Sequence, residues 1–391
     1  MPERDPAVGL TWGRTFAGLV AALFATFTAF GATVPMIPRL VTEEFGGPPF
    51  AVGAAFTATA VVTLILRPYG GQLAQRFGGR RLMMAGSALA ALVGTMYMLP
   101  WGLPGLFATR LVMGVAEALL FTAGSVWTVQ LAPEHRRGQV VGWYGLAMWS
   151  GFMAGPALGE AVYRLGSYPF VWALAVALPL VAVAVLGLLP PAAPLPVVSR
   201  RLIPRASLLP GLALGTGAFG YGVLVGFGAL ALSARDIPHG PVLLSVFSAA
   251  YIATRLVAGW LPDRLGPMPV IVMSSVLEAL GLLTIGFAPS WWVAACGAVV
   301  AGAGFTLLYP ALAMITISRA AEAERGAALG ALSSLYDIFF GLAGLVGGAV
   351  ADVSYPGAFA VAGAVALAAL ALGPLATRRP RVKASRPPAW G

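Results

Sequence analysis

Apolar runs of about 20 residues follow one another from end to end of this chain, separated by short polar or proline- and glycine-rich breaks. Each run is long enough for a helix to cross a hydrocarbon layer of about 30 Å. A helix satisfies its own backbone hydrogen bonds in lipid, and no strand-like alternation of apolar and polar residues competes with it. Charged residues make up only 10% of the chain, against about a quarter in soluble proteins. The sequence therefore predicts an all-α membrane protein.

We predict twelve transmembrane helices, divided six and six. The predicted ranges are 15–38, 51–73, 82–100, 104–131, 138–163, 169–190, 207–233, 240–262, 268–288, 291–318, 326–351 and 355–376. Residues 191–206 are rich in proline and arginine, so they are predicted to be a linker on the membrane surface. The predicted domains are residues 1–190 and 207–376, and residues 377–391 form a basic tail.

The two sets of helices repeat one another at an offset of 188 residues. The matched positions are Arg67 with Arg255, Gly71 with Gly259, Arg76 with Arg264, and Gly78 with Gly266. A repeat of this kind predicts two six-helix bundles related by a pseudo-twofold axis along the membrane normal. In transporters built this way, the substrate site lies between the two repeats.

Lysine and arginine are concentrated in the loops on the side that carries both termini and the linker. Of the loop cations, only Arg39, Arg164 and Arg235 fall on the other side. Because cytoplasmic loops carry the excess of positive charge, we expect a multi-pass protein of the cell (inner) membrane with both termini in the cytoplasm. Membrane orientation then explains the net charge of +10, and we expect no nucleic-acid partner.

The segment after the second predicted helix resembles the motif G-x-L-a-D-R-x-G-R-R of the major facilitator superfamily. The matching positions are Gly71, Gln75, Arg76, Gly78, Arg80 and Arg81. Gln75 stands where the family has an acid, whereas the second copy keeps Asp263 beside Arg264. The resemblance implies that this loop, with Arg67, Arg255 and Gly259 nearby, helps to hold the inward face of the transporter closed.

Two further motifs resemble those of the same superfamily. Arg110-x-x-x-Gly114 resembles its helix-4 motif. Gly151, Gly155, Pro156 and Gly159 resemble the helix-5 signature G-x-x-x-G-P-x-x-G, which is typical of the family's exporters, although Glu160 replaces the usual final glycine. The resemblance covers essentially the whole chain. It implies that helices 1, 4, 7 and 10 line a central cavity, and it favours efflux.

Four ionisable residues within predicted helices are candidates for proton coupling or substrate binding: Arg110, Glu117, Glu278 and Asp337. Such residues are costly in a bilayer and are functional by default. A carboxyl group shielded from water can bind and release a proton during a transport cycle. Arg110 and Glu117 lie two helical turns apart, about 10 Å along the axis, so we expect them to bracket a polar substrate or a water molecule.

Structural interpretations of these residues stay open. Asp337 is also compatible with an ion pair to an arginine in the membrane, and Glu117 or Glu278 with a carboxylate bonded to a neighbouring helix. Arg67 and Arg255 are placed either to extend toward the headgroups or to bind carboxylates or backbone carbonyls at the gate.

Aromatic residues on the helices expected near the cavity favour an amphipathic, partly apolar ligand. The alternative for each is helix packing or contact with lipid. The candidates are Phe27, Phe30, Trp149, Tyr221, Phe227, Phe305, Tyr309 and Tyr336.

The sequence gives little support for a nucleotide-binding site or a metal site. Gly215-Thr-Gly-Ala-Phe-Gly220 spells G-x-G-x-x-G, but it lies within an apolar run that no strand precedes, so close helix packing explains it better. Two histidines and one cysteine give no metal cluster. We expect a monomer with a small-molecule substrate, surrounded by the lipid bilayer, and no cofactor other than protons as the coupling ion.

We predict a secondary active transporter that exports a small amphipathic or organic solute by alternating access, in exchange for protons. The alternative is an uptake symporter or facilitator for a sugar, an organic acid or another nutrient. A membrane enzyme is disfavoured, since no nucleophile–base arrangement accompanies the repeat.

Overall fold

The computed structural model describes residues 6–133, 137–191, 204–320 and 324–377. In these ranges the chain forms twelve long helices. The first half contains α1 (Pro6–Thr33), α2 (Pro49–Phe77), α3 (Gly79–Met96), α4 (Gly102–Leu131), α5 (137–165) and α6 (168–188). The second half contains α7 (Leu208–Ser233), α8 (Val242–Ala258), α9 (Pro267–Gly286), α10 (Trp291–Arg319), α11 (Arg325–Ala351) and α12 (Tyr355–Leu367, continued by Ala369–Thr377).

Helices α5 and α6 belong to one helical run, Arg137–Leu188, which is divided by non-helical dihedral angles at Gly166 and Ser167. In the described part of the chain, nine helical runs are long and apolar enough to cross a membrane, and one of these contains both α5 and α6. The shorter helices α3 and α8, with 18 and 17 residues, complete the twelve. The predicted fold is confirmed.

The helix bounds differ from the predicted ones where the backbone breaks. After α1, the chain continues as the short helix Met36–Arg39 and a π-helical turn, Leu40–Glu44. Helix α8 ends at Ala258, and a second short helix, Leu261–Leu265, follows it. Most of the predicted linker (192–203) and nearly all of the predicted tail (378–391) lie outside the described residues.

The repeat seen in the sequence is present in the packing. Helix α1 packs on α5 as α7 packs on α11, and α2 packs on α4 as α8 packs on α10. Helix α3 likewise contacts α4 and α6 as α9 contacts α10 and α12. Gly78 and Gly266, which match in the repeat, both have positive φ, +87° and +82°, a conformation that glycine adopts without steric cost.

The two halves meet along two seams, α2 against α11 and α5 against α8. We call the end of the molecule that carries the α2–α3 turn at Gly78 the loop end, and the other end the far end. Helices α2 and α8 run from the far end to the loop end, and α5 and α11 run in the opposite direction. Lower residue numbers therefore lie nearer the far end in α2 and α8, and higher numbers lie nearer the far end in α5 and α11.

Candidate functional site

An ion pair joins the two halves at mid-depth in the α2/α11 seam. The Arg67 Nη2 atom lies 2.9 Å from Oδ2 and 3.2 Å from Oδ1 of Asp337. The side chains are only 11% and 8% exposed. Asp337 lies 12 residues into α11, about 18 Å along the helix axis from its loop end. The two residues are 270 positions apart in the chain.

Aromatic and acidic groups of α4 complete the surroundings of Arg67. The guanidinium carbon lies 4.2 Å from the centre of the Phe121 ring, a cation–π contact. The half-buried Glu117 interacts electrostatically with Arg67 and with Asp337. Within the described structure, Nε and Nη1 of Arg67 are buried and donate to no protein acceptor. Arg67 is therefore ion-paired with Asp337 of the other half, interacts electrostatically with Glu117 of its own half, and keeps donors without a described partner.

From this pair to the far end, α2 and α11 are in close contact. The Thr57 hydroxyl donates to the Gly341 carbonyl at 2.6 Å, and the backbones of Gly53 and Gly344 approach without room for a side chain. At the far end of α2, the Phe50 amide donates to Oδ1 of Asp352 at 3.0 Å. This seam is closed over the whole far half of the membrane.

Toward the loop end, three glycines of the seam helices have no close neighbour among the described residues. Apart from each glycine's own helix backbone and chain neighbours, no described atom lies within 4 Å of the Cβ position at Gly142 or Gly145 of α5, or at Gly330 of α11. Every cross-seam contact described above lies at or beyond the depth of Asp337. Of these cross-seam contacts, the ion pair lies nearest the loop end, and the α2/α11 contacts beyond it close the far half.

The matching positions of the α5/α8 seam carry different chemistry. Trp149 matches Asp337 in the repeat, and Arg255 matches Arg67. Trp149 packs on the Tyr251 ring at 6.0 Å, and Arg255 Nη1 donates to the backbone carbonyl of Thr306 at 3.2 Å. Of the two seams, only α2/α11 therefore carries an ion pair at this depth in the described residues.

Trp149 is also the centre of an aromatic cluster between the halves. Its ring lies 5.5 Å from Tyr336 and 6.3 Å from Phe305. Phe305 stacks on Tyr221 at 5.2 Å. The cluster further includes Phe152, Phe247, Tyr251 and Phe340. Tyr221, Phe247, Tyr251 and Phe305 are each at most 5% exposed, so these rings are packed against one another at mid-depth.

The remaining aromatic candidates lie at or beyond the edge of this cluster. Phe27 and Phe30 of α1 contact each other at 5.5 Å, and Phe27 reaches Phe152 at 6.5 Å. Phe227 is fully buried against Gly347 and Gly348 of α11, a position in helix packing.

Tyr309 belongs to a separate core group on the loop side of α10.

Arg110 is held by structural contacts, which sequence reasoning did not anticipate. Its guanidinium is 3% exposed. Nε donates to the Ala55 carbonyl at 3.3 Å, and Nη1 lies 3.4 Å from the Tyr97 hydroxyl. The Phe56 ring lies 4.9 Å from its Cζ. These contacts join α2, α3 and α4 on the far side of Glu117.

Comparison with known proteins covers nearly the whole chain. A profile of the Major Facilitator Superfamily matches residues 19–240 and 236–391. The chain belongs to the major facilitator superfamily. An uncharacterized transporter of this type from Salmonella typhimurium is 28% identical over 381 residues, covering 93% of this chain and 97% of its own length. Another from Burkholderia mallei is 30% identical over 377 residues, covering 92% and 91%.

Solved major facilitator structures share the fold at low identity. The nucleoside transporter NupG has a TM-score of 0.74 and 14% identity, covering 93% of this chain and all of its own. The human organic anion transporter MFSD10 has a TM-score of 0.71 and 15% identity, covering 92% and 99%. The E. coli fucose:proton symporter FucP has a TM-score of 0.66 and 14% identity, covering 93% and 98%. The protein is therefore a membrane transporter of this superfamily.

The superfamily's loop motif lies at the loop end of the molecule. Arg76 and Arg81 are exposed, as are Asp263 and Arg264 in the second copy. Arg80 instead donates to the carbonyls of Leu186 and Gly187, at 2.9 and 2.6 Å. Since those carbonyls end α6, Arg80 caps this helix.

Other positions of the motif pack within one half. The Cβ position at Gly71 lies 3.4 Å from Thr122 of α4, and that at Gly259 meets the Arg255 carbonyl. The Gln75 side-chain oxygen is buried and has no described partner.

The superfamily's helix-5 signature packs α5 on α1. A side chain at Gly151 would meet the Phe24 carbonyl, and those at Gly155 and Gly159 would meet the backbone of Gly31 and Ala32. These glycines let two helices of one half approach closely. Pro156 lies inside α5.

Glu160, which departs from the superfamily pattern, forms a second buried ion pair. Its Oε2 accepts from Arg39 Nη1 at 3.1 Å, and its Oε1 accepts from Arg164 Nε at 3.0 Å. The Glu160 side chain is 7% exposed, that of Arg39 18% and that of Arg164 57%. The Arg39–Glu160 contact joins the short helix Met36–Arg39, which follows α1, to α5.

We expect Glu160→Ala to destabilise the protein by about 2 kcal/mol, because Arg39 would lose its buried partner. Thermal unfolding in detergent measures this as a lower Tm. Arg164→Ala is the matched control, since an exposed ion pair contributes less than about 1 kcal/mol. Equal Tm losses in the two variants would contradict the assignment.

Proposed function

We propose that the protein is a proton-coupled exporter that exchanges a small amphipathic organic solute for protons by alternating access. The observation that carries the proposal is the Arg67–Asp337 ion pair. It joins the two halves at the inner limit of the closed seam, beside an aromatic cluster. Protons are the proposed coupling ion, and the proposed acting form is a monomer.

The direction of the cycle follows from the proposed orientation. The excess of positive loop residues at the loop end assigns that end to the cytoplasm. We therefore interpret the structure, in which α2 and α11 close the far half, as an inward-facing state. In this state Asp337 and Glu117 are proposed to exchange protons with the cytoplasmic side.

The ion pair suits an exchanger. An exchanger must not change conformation when it carries neither proton nor substrate, because an empty return would dissipate the gradient. A pair between the halves that forms once Asp337 has lost its proton opposes that return. A symporter must return empty, so the same pair would slow its cycle.

The free energy needed to break the ion pair is similar to the free energy available from the entry of one proton. Removing one partner from a buried ion pair costs about 3–5 kcal/mol. A proton that crosses a pH difference of one unit contributes about 1.4 kcal/mol, and a potential of 100 mV adds about 2.3 kcal/mol. The entry of one proton can therefore drive the separation of Arg67 from Asp337.

The proposed substrate site extends from the ion pair to the aromatic cluster. Trp149, Phe305 and Tyr336 offer faces for an apolar or aromatic group. Glu117, Asp337 and the free donors of Arg67 offer a polar anchor. A solute with one apolar and one polar or charged end fits this arrangement, and its binding would compete with the ion pair.

Two measurements test the proposal in sequence. A thermal-shift screen of purified protein against amphipathic cations, organic anions, nucleosides and sugars identifies binders, because a ligand raises Tm by mass action. Binders are then added to vesicles with an acidic interior, which contain the protein with its loop end outward. An exchanger takes the solute up and releases protons from the interior.

The alternative, an uptake symporter, would move the solute in the same direction as the protons. Fold likeness to a fucose:proton symporter and a nucleoside transporter makes sugars and nucleosides necessary members of the screen. If vesicles with the same acidic interior, preloaded with the solute, release it together with protons, the protein is a symporter and the proposed exchange is wrong.

A further inference from the structure

A glycine-lined face of α7 receives a carboxyl group from α9. Glu278 is 2% exposed. A Cβ atom at Gly217 would come within 2.9 Å of its Oε2, and one at Gly220 within 2.8 Å of its Oε1. The carboxyl group can lie here only because both positions of α7 lack a side chain. The third glycine of the G-x-G-x-x-G pattern, Gly215, receives the Phe339 ring of α11.

Among the residues that the structure describes, no group in the pocket would neutralise a carboxylate. Neither oxygen of Glu278 has a hydrogen-bond partner among the described residues. The pocket is completed by Leu282 on its own helix and by Phe305 and Leu308 of α10. An isolated carboxylate in such surroundings costs far more than a neutral carboxylic acid.

The ionisable groups of the neighbouring helices are directed elsewhere. Arg235, beyond the end of α7, donates to carbonyls at the far end of α9. Arg255 of α8 donates to Thr306. Asp263 and Arg264 are exposed. The remaining groups on the helices packed against α9 are Tyr221 of α7, Cys296, Tyr309 and Arg319 of α10, and Tyr355 of α12.

We propose that Glu278 is a second proton-binding site, separate from the Arg67–Asp337 pair, in which the proton allows α7 to pack against α9. The bound proton is the ligand, and no metal ion is required. Hard cations need several oxygen ligands, whereas the described contacts of this pocket are glycine backbone, leucine and phenylalanine. Loss of the proton requires water or a cation to reach Glu278, so α7 must separate from α9 first.

This site gives α7 a proton-dependent contact that is distinct from the ion pair and shares Phe305 with the aromatic cluster. The same helix presents Tyr221 to the aromatic cluster. Movement of α7 away from α9 would therefore alter the proposed substrate site and the access of water to Glu278 together.

Infrared spectroscopy of protein reconstituted in lipid tests the site without substrate or gradient. We expect a carbonyl-stretch band of a protonated carboxyl group at neutral pH in sodium-free buffer. The band should be absent from Glu278→Gln and retained in Asp337→Asn. Gly220→Ala should shift it, because the methyl group displaces the carboxyl group. Gly226→Ala on the same helix, where the described part of the chain places no neighbouring atom within 4 Å of the Cβ position, should leave it unchanged.

Several results would overturn the proposal. They are an identical spectrum in Glu278→Gln and the wild type, a band that disappears when sodium is added, or equal effects of the two glycine substitutions. If Glu278→Gln does not fold, Glu278→Asp should still shift the band by withdrawing the carboxyl group one methylene. Because no transport is measured, failure here leaves the proposed exchange untouched, and failure of the exchange leaves this site untouched.

Discussion

Asp337→Asn is expected to abolish proton-driven accumulation of substrate in vesicles while leaving substrate-for-substrate exchange in place. Asparagine resembles a protonated aspartic acid that cannot release its proton, so the halves can still move but transport is no longer tied to proton flow. The accumulation ratio at steady state should fall to about one, whereas a coupled proton at a gradient worth 1.4 kcal/mol supports about tenfold. Uptake of a radiolabelled binder from the screen, with and without a pH gradient, measures both.

Asp236→Asn is the matched control, because it makes the same chemical change at an exposed aspartate away from both seams. It should retain wild-type accumulation. Uphill accumulation in Asp337→Asn equal to that of Asp236→Asn would show that Asp337 does not couple protons to transport.

Cross-linking Ala60→Cys to Gly341→Cys is expected to stop transport completely and reversibly. The Cβ position at Gly341 lies 3.1 Å from the Ala60 Cβ, close to the separation in a disulfide. The two positions lie on opposite sides of the α2/α11 seam, in its closed far half. A covalent bond there holds the far end shut, so the outward-open state cannot form.

The single native cysteine, Cys296, is exposed and is first replaced by serine. Transport is measured after oxidation and again after reduction, with Ala60→Cys alone as the control. Reduction should restore activity. Undiminished transport in protein whose disulfide has been verified by mass spectrometry would mean that this seam need not open.

Much of the fold could be predicted from local sequence features. Apolar run length fixes which segments cross the membrane, and the offset of 188 residues relates the halves. Gly78 and Gly266 adopt the same unusual backbone conformation because the repeat preserves both glycines. The end of α1 was harder, since two prolines in 35–38 divide it into short segments whose lengths no periodicity predicts.

The candidate site was only partly predictable. Burial in a membrane identified Arg67 and Asp337 separately, because any ionisable residue there is costly. Their pairing depends on how two helices 270 residues apart meet, which no local pattern encodes. Tyr251 and Phe340 were missed for the same reason, although each lies one turn from a residue already singled out.

Distances across the far end test the central claim, that protonation of Asp337 releases the α2/α11 seam. Spin labels at Glu44→Cys and Val353→Cys, both exposed at the far end, report the separation of the halves by pulsed electron paramagnetic resonance. In the Cys296→Ser background, Asp337→Asn is expected to lengthen this distance at neutral pH, and acidification should do the same in protein that retains Asp337. A distance distribution that neither change moves would contradict the account.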